Sequence, residues 1–253
     1  MQKTLSKEIS FQGNALHTGE VVNVKLIPSA ENTGIIFVRE DLENAEIPAL
    51  VKYVNRTDRQ TILQNGEASV GTVEHLMASL YALGIDNLRV ELNGSEVPIL
   101  DGSAAPLVDL ILEAGIEEQS VEKNFYVLEE TFTFKDEDGS EIMALPSEEF
   151  EVSALIDYGS SVLGPQHAHL DKMVNFRDEI ASARTFSFLR ELEPLLDAGL
   201  IKGGDLNNAI VYVDQDIAPS TLDKLKTAFG RDDVQVTQRG TLNNINLRFS
   251  NEA

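Results

Sequence analysis

The sequence predicts an α+β protein built as two similar domains, each a layered sandwich of helices on sheet. Three observations predict it. Apolar runs of strand length are interleaved with two helical stretches over the first 115 or so residues. A polar, aperiodic stretch, "IEEQSVEKN" at 116–124, then interrupts the pattern. After it, the same order of strands, helix and strand begins again. Domains are therefore expected at 1–117 and 124–253, and a chain of 253 residues is long enough to give each its own core.

In chain order, "EVVNVKLIP" and "TGIIFVRE" alternate or run apolar between Gly, Asn, Ser and Pro, as strands do. A helix follows from about Thr72 to Leu83 and stops at Gly84. "NLRVELNG" is another alternating strand. "DGSAAPLVDLILEAGI" reads as a turn at Asp101-Gly102, an N-cap at Ser103 and a helix ending at Gly115. In the second half, "YVLEETFTF" and "EIMALP" flank "KDEDGS", whose Asp138-Gly139 signals a hairpin. "EFEVSALIDY" is a strand, and a helix is expected from about Thr185 to Leu196. "NAIVYVD" is a strand, "PSTLDKLKTAFG" a helix, and "NLRFSNEA" a last strand. The first half closes with a helix at 104–114 that has no counterpart after the last strand, so the second domain is expected to be incomplete at its C-terminus.

Lys and Arg number 20 against 42 Asp and Glu, a net charge of −22. Such a field repels phosphate backbones and anionic lipid, so nucleic acid is not an expected partner. There is no cysteine, which removes disulfides, thiolate nucleophiles and Cys-held zinc. The N-terminus "MQKTLSKEIS" has no apolar signal core, and no run is long enough for a membrane span. A cytoplasmic protein is expected.

A metal here must be held by His, Asp or Glu, and the histidines are His17, His75, His167 and His169. On a helical wheel Val73, Leu76, Met77, Leu80 and Tyr81 form the apolar stripe of the first helix. His75 then points the other way with Ala78, Ser79 and Ala82, and Glu74 stands at the stripe's edge. Read alone, the pair is surface polarity, with Glu74 complementing the helix dipole and His75 facing water. Neither HExxH nor HxxEH spacing is met. His167 and His169 in "GPQHAHL" have H-x-H spacing but follow Gly-Pro, which suggests solvated loop residues. His17 lies in a Gly-bounded turn. Thr185 and Phe186 read as an N-cap and a core residue.

Several segments taken together resemble one family. "GNALHTGE", "TVEHLMASLYALGIDNLRVEL", "EVPILDGSAAPLV", "SARTFSFLRELEPLLDAGLIKGGDLNNAIVYVD" and "LRF" are collinear with UDP-3-O-acyl-N-acetylglucosamine deacetylase, a zinc amidase of lipid A biosynthesis. The resemblance implies two α+β domains and hydrolysis of the N-acetyl group of a UDP-linked acylated amino sugar, UDP-3-O-(3-hydroxyacyl)-N-acetylglucosamine, with Zn2+ as cofactor. It makes Glu74 the general base, His75 a zinc ligand and Thr185 the hydroxyl that steadies the oxyanion. Phe186 becomes a ring packed on the sugar, and Leu192, Ile201, Gly204 and Val211 fall where the family builds an acyl passage. Asp205 departs from the small hydroxyl residue common there. The family's other two zinc ligands, in an H-K-x-x-[LI]-D segment, and a histidine acid in G-H-x-x-N-N lie beyond "LRFSNEA". The alternative expectation is thus a truncated or non-catalytic chain of the same fold that binds zinc poorly and is inactive as given.

Overall fold

The computed structural model describes residues 1–198, 202–236 and 238–252. It is a mixed α+β protein. The first region runs β1 (Lys3–Leu5), β2 (Ile9–Asn14), β3 (Val21–Pro28), β4 (Ile35–Arg39), β5 (Ala45–Pro48), β6 (Val54–Arg56), β7 (Ile62–Asn65) and β8 (Ala68–Val70). It continues through α1 (Glu74–Ala82), β9 (Leu88–Leu92), α2 (Ala105–Ala114) and β10 (Ile116–Glu118).

Its main sheet has the order β2-β3-β9-β4-β5. All neighbours are antiparallel except β4 and β9, which are parallel. Parallel neighbours need a long crossover, and that crossover holds β5 to β8 and α1. Alternation in the sequence sets the faces. Val22, Val24 and Leu26 of β3 and Leu88, Val90 and Leu92 of β9 are buried, while Lys25, Arg89 and Glu91 point out and pair with one another and with Glu40 and Glu46. The buried face packs with Leu76 and Leu80 of α1 and Leu107 and Ile111 of α2 in one core. Each fully buried Leu or Ile contributes about 1.5–3 kcal/mol there.

After residue 124 come two hairpins, β11 (Phe132–Lys135) with β12 (Glu141–Ala144), and β13 (Val152–Asp157) with β14 (Pro165–Leu170). The short helix α3 (Phe176–Glu179) leads to β15 (Phe186–Phe188), which runs into α4 (Leu189–Asp197). Then follow β16 (Ile210–Val213), α5 (Pro219–Phe229) and β17 (Gly240–Thr241). β15 and β16 are parallel, and β17 adds antiparallel to β16. All four residues of β16 are buried, because both of its faces are covered. Val211 and Val213 face α4 and α5, while Ile210 and Tyr212 face Phe186 and Phe188.

The structure departs from five local expectations. The helix expected from Thr185 begins at Leu189, because Phe186-Ser187-Phe188 pairs with β16 as a strand; tertiary pairing overrides the helical reading. Thr185 is consequently not an N-cap. His167 and His169 lie on β14, paired across from Leu155 and Ser153, and not in a loop. "NLRFSNEA" forms no strand among its described residues. The cap of α2 is Ala104 in helical conformation; Ser103, one residue earlier, donates its hydroxyl to Asp101 while the same oxygen accepts the Ala105 amide at 3.4 Å.

Candidate active site

β8 delivers the chain into Gly71 and Thr72, and Thr72 takes a left-handed φ of 54°. Val73 caps α1 without a side-chain bond, so Glu74 and His75 are the first two residues of the helix. One Glu74 carboxylate oxygen accepts the Thr61 amide at 3.0 Å. Glu74 is therefore oriented by the β6–β7 connection as well as by the helix end.

His75 does not face open water. One turn on, Ser79 is fully buried and donates its hydroxyl to the His75 carbonyl at 2.8 Å, near Ala104 of the α2 cap. The helix side that carries His75 is thus the side packed toward α2, while Tyr81, placed in the apolar stripe by the wheel, is 52% exposed. Tyr81 rests edge-on against the Phe150 ring. Burial holds the His75 imidazole below its ordinary pKa, against the opposing pull of Glu74 and Asp101. At neutral pH it is an uncharged ring with a lone pair, the form a metal requires.

The turn at 101–103 is where distant segments meet. Asp101 accepts the Ser103 amide at 3.0 Å and hydroxyl at 2.8 Å, and its other oxygen accepts Arg248 at 2.9 Å. Burial alone pushes the Asp101 carboxyl up, but Ser103 and Arg248 outweigh it and hold the group below its usual range. Arg248 also donates to the Ser182 carbonyl at 2.9 Å. The Thr185 amide donates to the Gly102 carbonyl at 2.7 Å, and Arg184 bridges Ser103. Gly102 has φ 83°, and a Cβ there would meet the Asn208 carbonyl oxygen at 2.1 Å, so no other residue fits. Thr185 is therefore seated by its backbone on the 101–103 turn.

The remaining expected residues are placed as follows. Phe186 is half-buried in an edge-to-face cluster with Tyr158, Phe188 and Tyr212. Val211 is buried and Leu192 partly buried in the apolar cluster between β16, α4 and α5. Gly204 precedes a turn in which Asp205 accepts the Asn207 amide at 2.6 Å, so that carboxylate serves the turn. Ile201 lies outside the described residues. His167 and His169 are exposed on β14.

Sequence reasoning missed Asp101, which it read only as a turn residue, and gave no role to Arg248 of "LRF". It also missed Glu252, whose side chain is 0% exposed and pairs with Arg184 at 2.7 Å. An acid in a turn and an arginine in a terminal stretch carry no pattern; only their pairing across the fold marks them. As a zinc set the described residues fall short. His75 suits one ligand, but among the described residues no three His, Asp or Glu side chains form a metal-holding group.

The profile of the LpxC family, UDP-3-O-acyl N-acetylglycosamine deacetylase, matches residues 2–228. The chain is 46% identical over 253 residues to the bifunctional enzyme LpxC/FabZ of Bacteroides thetaiotaomicron, covering 99% of this chain and 55% of that protein. It is 47% identical over 212 residues to the UDP-3-O-acyl-N-acetylglucosamine deacetylase of Myxococcus xanthus, covering 83% of this chain and 67% of that one. The deacetylase of Acidithiobacillus ferrooxidans is also 47% identical, over 218 residues. The chain thus spans about half the length of the bifunctional relatives it matches. By the reach of the profile and the identity of these relatives, it belongs to the LpxC family of UDP-3-O-acyl N-acetylglycosamine deacetylases.

Proposed function

We propose that the chain carries the deacetylase portion of a zinc-dependent hydrolase. Its reaction removes the N-acetyl group of UDP-3-O-(3-hydroxyacyl)-N-acetylglucosamine, releasing acetate, in lipid A biosynthesis in the cytoplasm. The single observation that carries this reading is that the 101–103 turn, on which Thr185 is seated, leads into Ala104, whose carbonyl meets the Ser79 hydroxyl one helical turn after His75.

In this reading Glu74 is the general base. Its one oxygen is fixed by the Thr61 amide, which leaves the other to take a proton from the attacking water; such positioned proton transfer is worth about 10²–10⁴-fold. His75 is one zinc ligand, kept neutral by burial. Thr185 donates to the oxyanion, Phe186 packs on the sugar, and Leu192, Ile201, Gly204 and Val211 belong to the acyl passage. Three interacting groups on one carbonyl is the arrangement amide hydrolysis needs.

The experiment is acetate release from the UDP-linked substrate by the full-length protein, with zinc content measured on the same sample. Release with one zinc per chain supports the reading. Zinc bound without release, or release that survives chelation, overturns it. The second reading, a non-catalytic chain that keeps the fold, is favoured by the shortfall of ligands among the described residues. It predicts neither tight zinc nor release.

A further inference from the structure

Glu96 has no role in the scheme above, yet its carboxylate is buried, with the residue 2% exposed. It stands on the segment after β9 that pairs in parallel with Gly71. The Gly71 amide donates to the Ser95 carbonyl at 2.9 Å, and the Val97 amide to the Gly71 carbonyl at 3.0 Å. A carboxylate persists in such a place only where hydrogen bonds replace its water.

The partners are specific. Oε1 accepts the Thr72 hydroxyl at 2.8 Å and lies 3.1 Å from the His17 amide. Oε2 accepts the His17 and Thr18 amides, both at 3.1 Å. Each partner belongs to backbone that no named strand or helix holds. His17 and Thr18 are in the turn between β2 and β3, and Thr72 has the left-handed φ of 54°. That conformation is costly for a β-branched residue and survives only where its surroundings hold it. Two residues after Thr72 comes Glu74. The Thr72 hydroxyl also lies 3.1 Å from the Gln60 side chain, next to Thr61, whose amide Glu74 takes.

We propose that Glu96 is a positioning residue. Its carboxylate clamps Thr72 in the left-handed turn that aims Glu74 at Thr61 and at the reacting carbonyl, and the same two oxygens seat the His17–Thr18 turn beside it. The charge matters because all three partners are donors. A carboxamide turns its NH2 toward one of them, and an aspartate falls one methylene short of the reach. The catalytic half of the claim rests on Glu74 being the base.

The test uses the full-length protein with Glu96→Gln, Thr72→Val and Thr72→Ser. Three readouts are compared: hydrogen exchange of the Thr61 amide, exchange of the β3 and β9 amides, and kcat and KM for acetate release. In Glu96→Gln and Thr72→Val, Thr61 should exchange on the order of tenfold faster while β3 and β9 keep wild-type rates. kcat should fall tenfold to a hundredfold with KM little changed, the scale of a displaced catalytic group. Thr72→Ser, which restores the hydroxyl, should behave as wild type. If Glu96→Gln does not fold, Thr72→Val still decides. Unchanged Thr61 exchange, or losses that follow β9 unprotection, overturn the proposal. Acetate release absent from wild type overturns the deacetylase reading alone, because Thr61 exchange then still decides the positioning claim.

Discussion

At the scale of the residue, two adjacent side chains have separable fates. On the proposed roles, Glu74→Ala removes a base without removing a ligand, so turnover in the full-length protein should drop by about 10²–10⁴-fold with zinc content unchanged. His75→Ala should lose the metal itself. Zinc analysis and acetate release on the same two variants check both, and near-wild-type turnover in Glu74→Ala would sink the general-base assignment. Gly102 makes a third, purely structural case. Gly102→Ala sets a Cβ against the Asn208 carbonyl at 2.1 Å and forces alanine to φ 83°. It should destabilise by about 2 kcal/mol or more, read as a lower urea midpoint at unchanged slope.

Among the elements, the segment 246–252 shows how irregular backbone is held by charge. Glu252 accepts the Arg184 amide at 3.1 Å and guanidinium at 2.7 Å, and the Arg248 amide at 2.6 Å. Arg248 in turn reaches Asp101. Glu252→Gln breaks a buried pair and should cost about 3–5 kcal/mol at neutral pH, measured by denaturant unfolding. The pH dependence has a definite sign. Burial raises the Glu252 carboxyl, but Arg184 and the Arg248 amide outweigh it, so the folded value is below the ordinary 4.5. Its stabilisation is full above 4.5 and is lost as pH falls through the lower folded value. His75, lowered by burial, adds a loss in the same direction below its ordinary 6.5, because the unfolded chain takes up the proton first. Stability should therefore decline from about pH 6.5 downward, and Glu252→Gln should flatten the part of that decline below about 4.5.

The whole molecule divides unevenly. The β2-β3-β9-β4-β5 sheet is sealed by α1 and α2, whereas Tyr126, Phe134, Ile142 and Leu155 around the two hairpins are exposed, Tyr126 by 90%. Apolar surface of this kind is a patch that a globular chain ordinarily covers. Amides of β11 to β14 should exchange well before those of β3 and β9, since few buried contacts hold them; uniform protection would contradict this. We also propose 1–117 and 124–253 as the two domains. Limited proteolysis should cut first between β10 and β11. A first cut inside β3 or β9 would argue against the division.

Much of this was legible in the sequence, because it depended on period and punctuation. The alternation of β3 and β9, the span of α1 up to Gly84, the Asp138-Gly139 hairpin and the "TVEH" and "DGSAAP" motifs are all local patterns, and in β3 and β9 burial follows from the alternation. Tertiary structure decided what local pattern cannot contain. Phe186-Ser187-Phe188 became a strand because β16 stood ready to pair with it. His75 is half-buried, on the side of α1 where Ser79 meets the start of α2. Asp101, Glu96, Arg248 and Glu252 acquired meaning only from partners far away in the chain, since a carboxylate's role is set by which donors the fold brings within 3 Å or so of it.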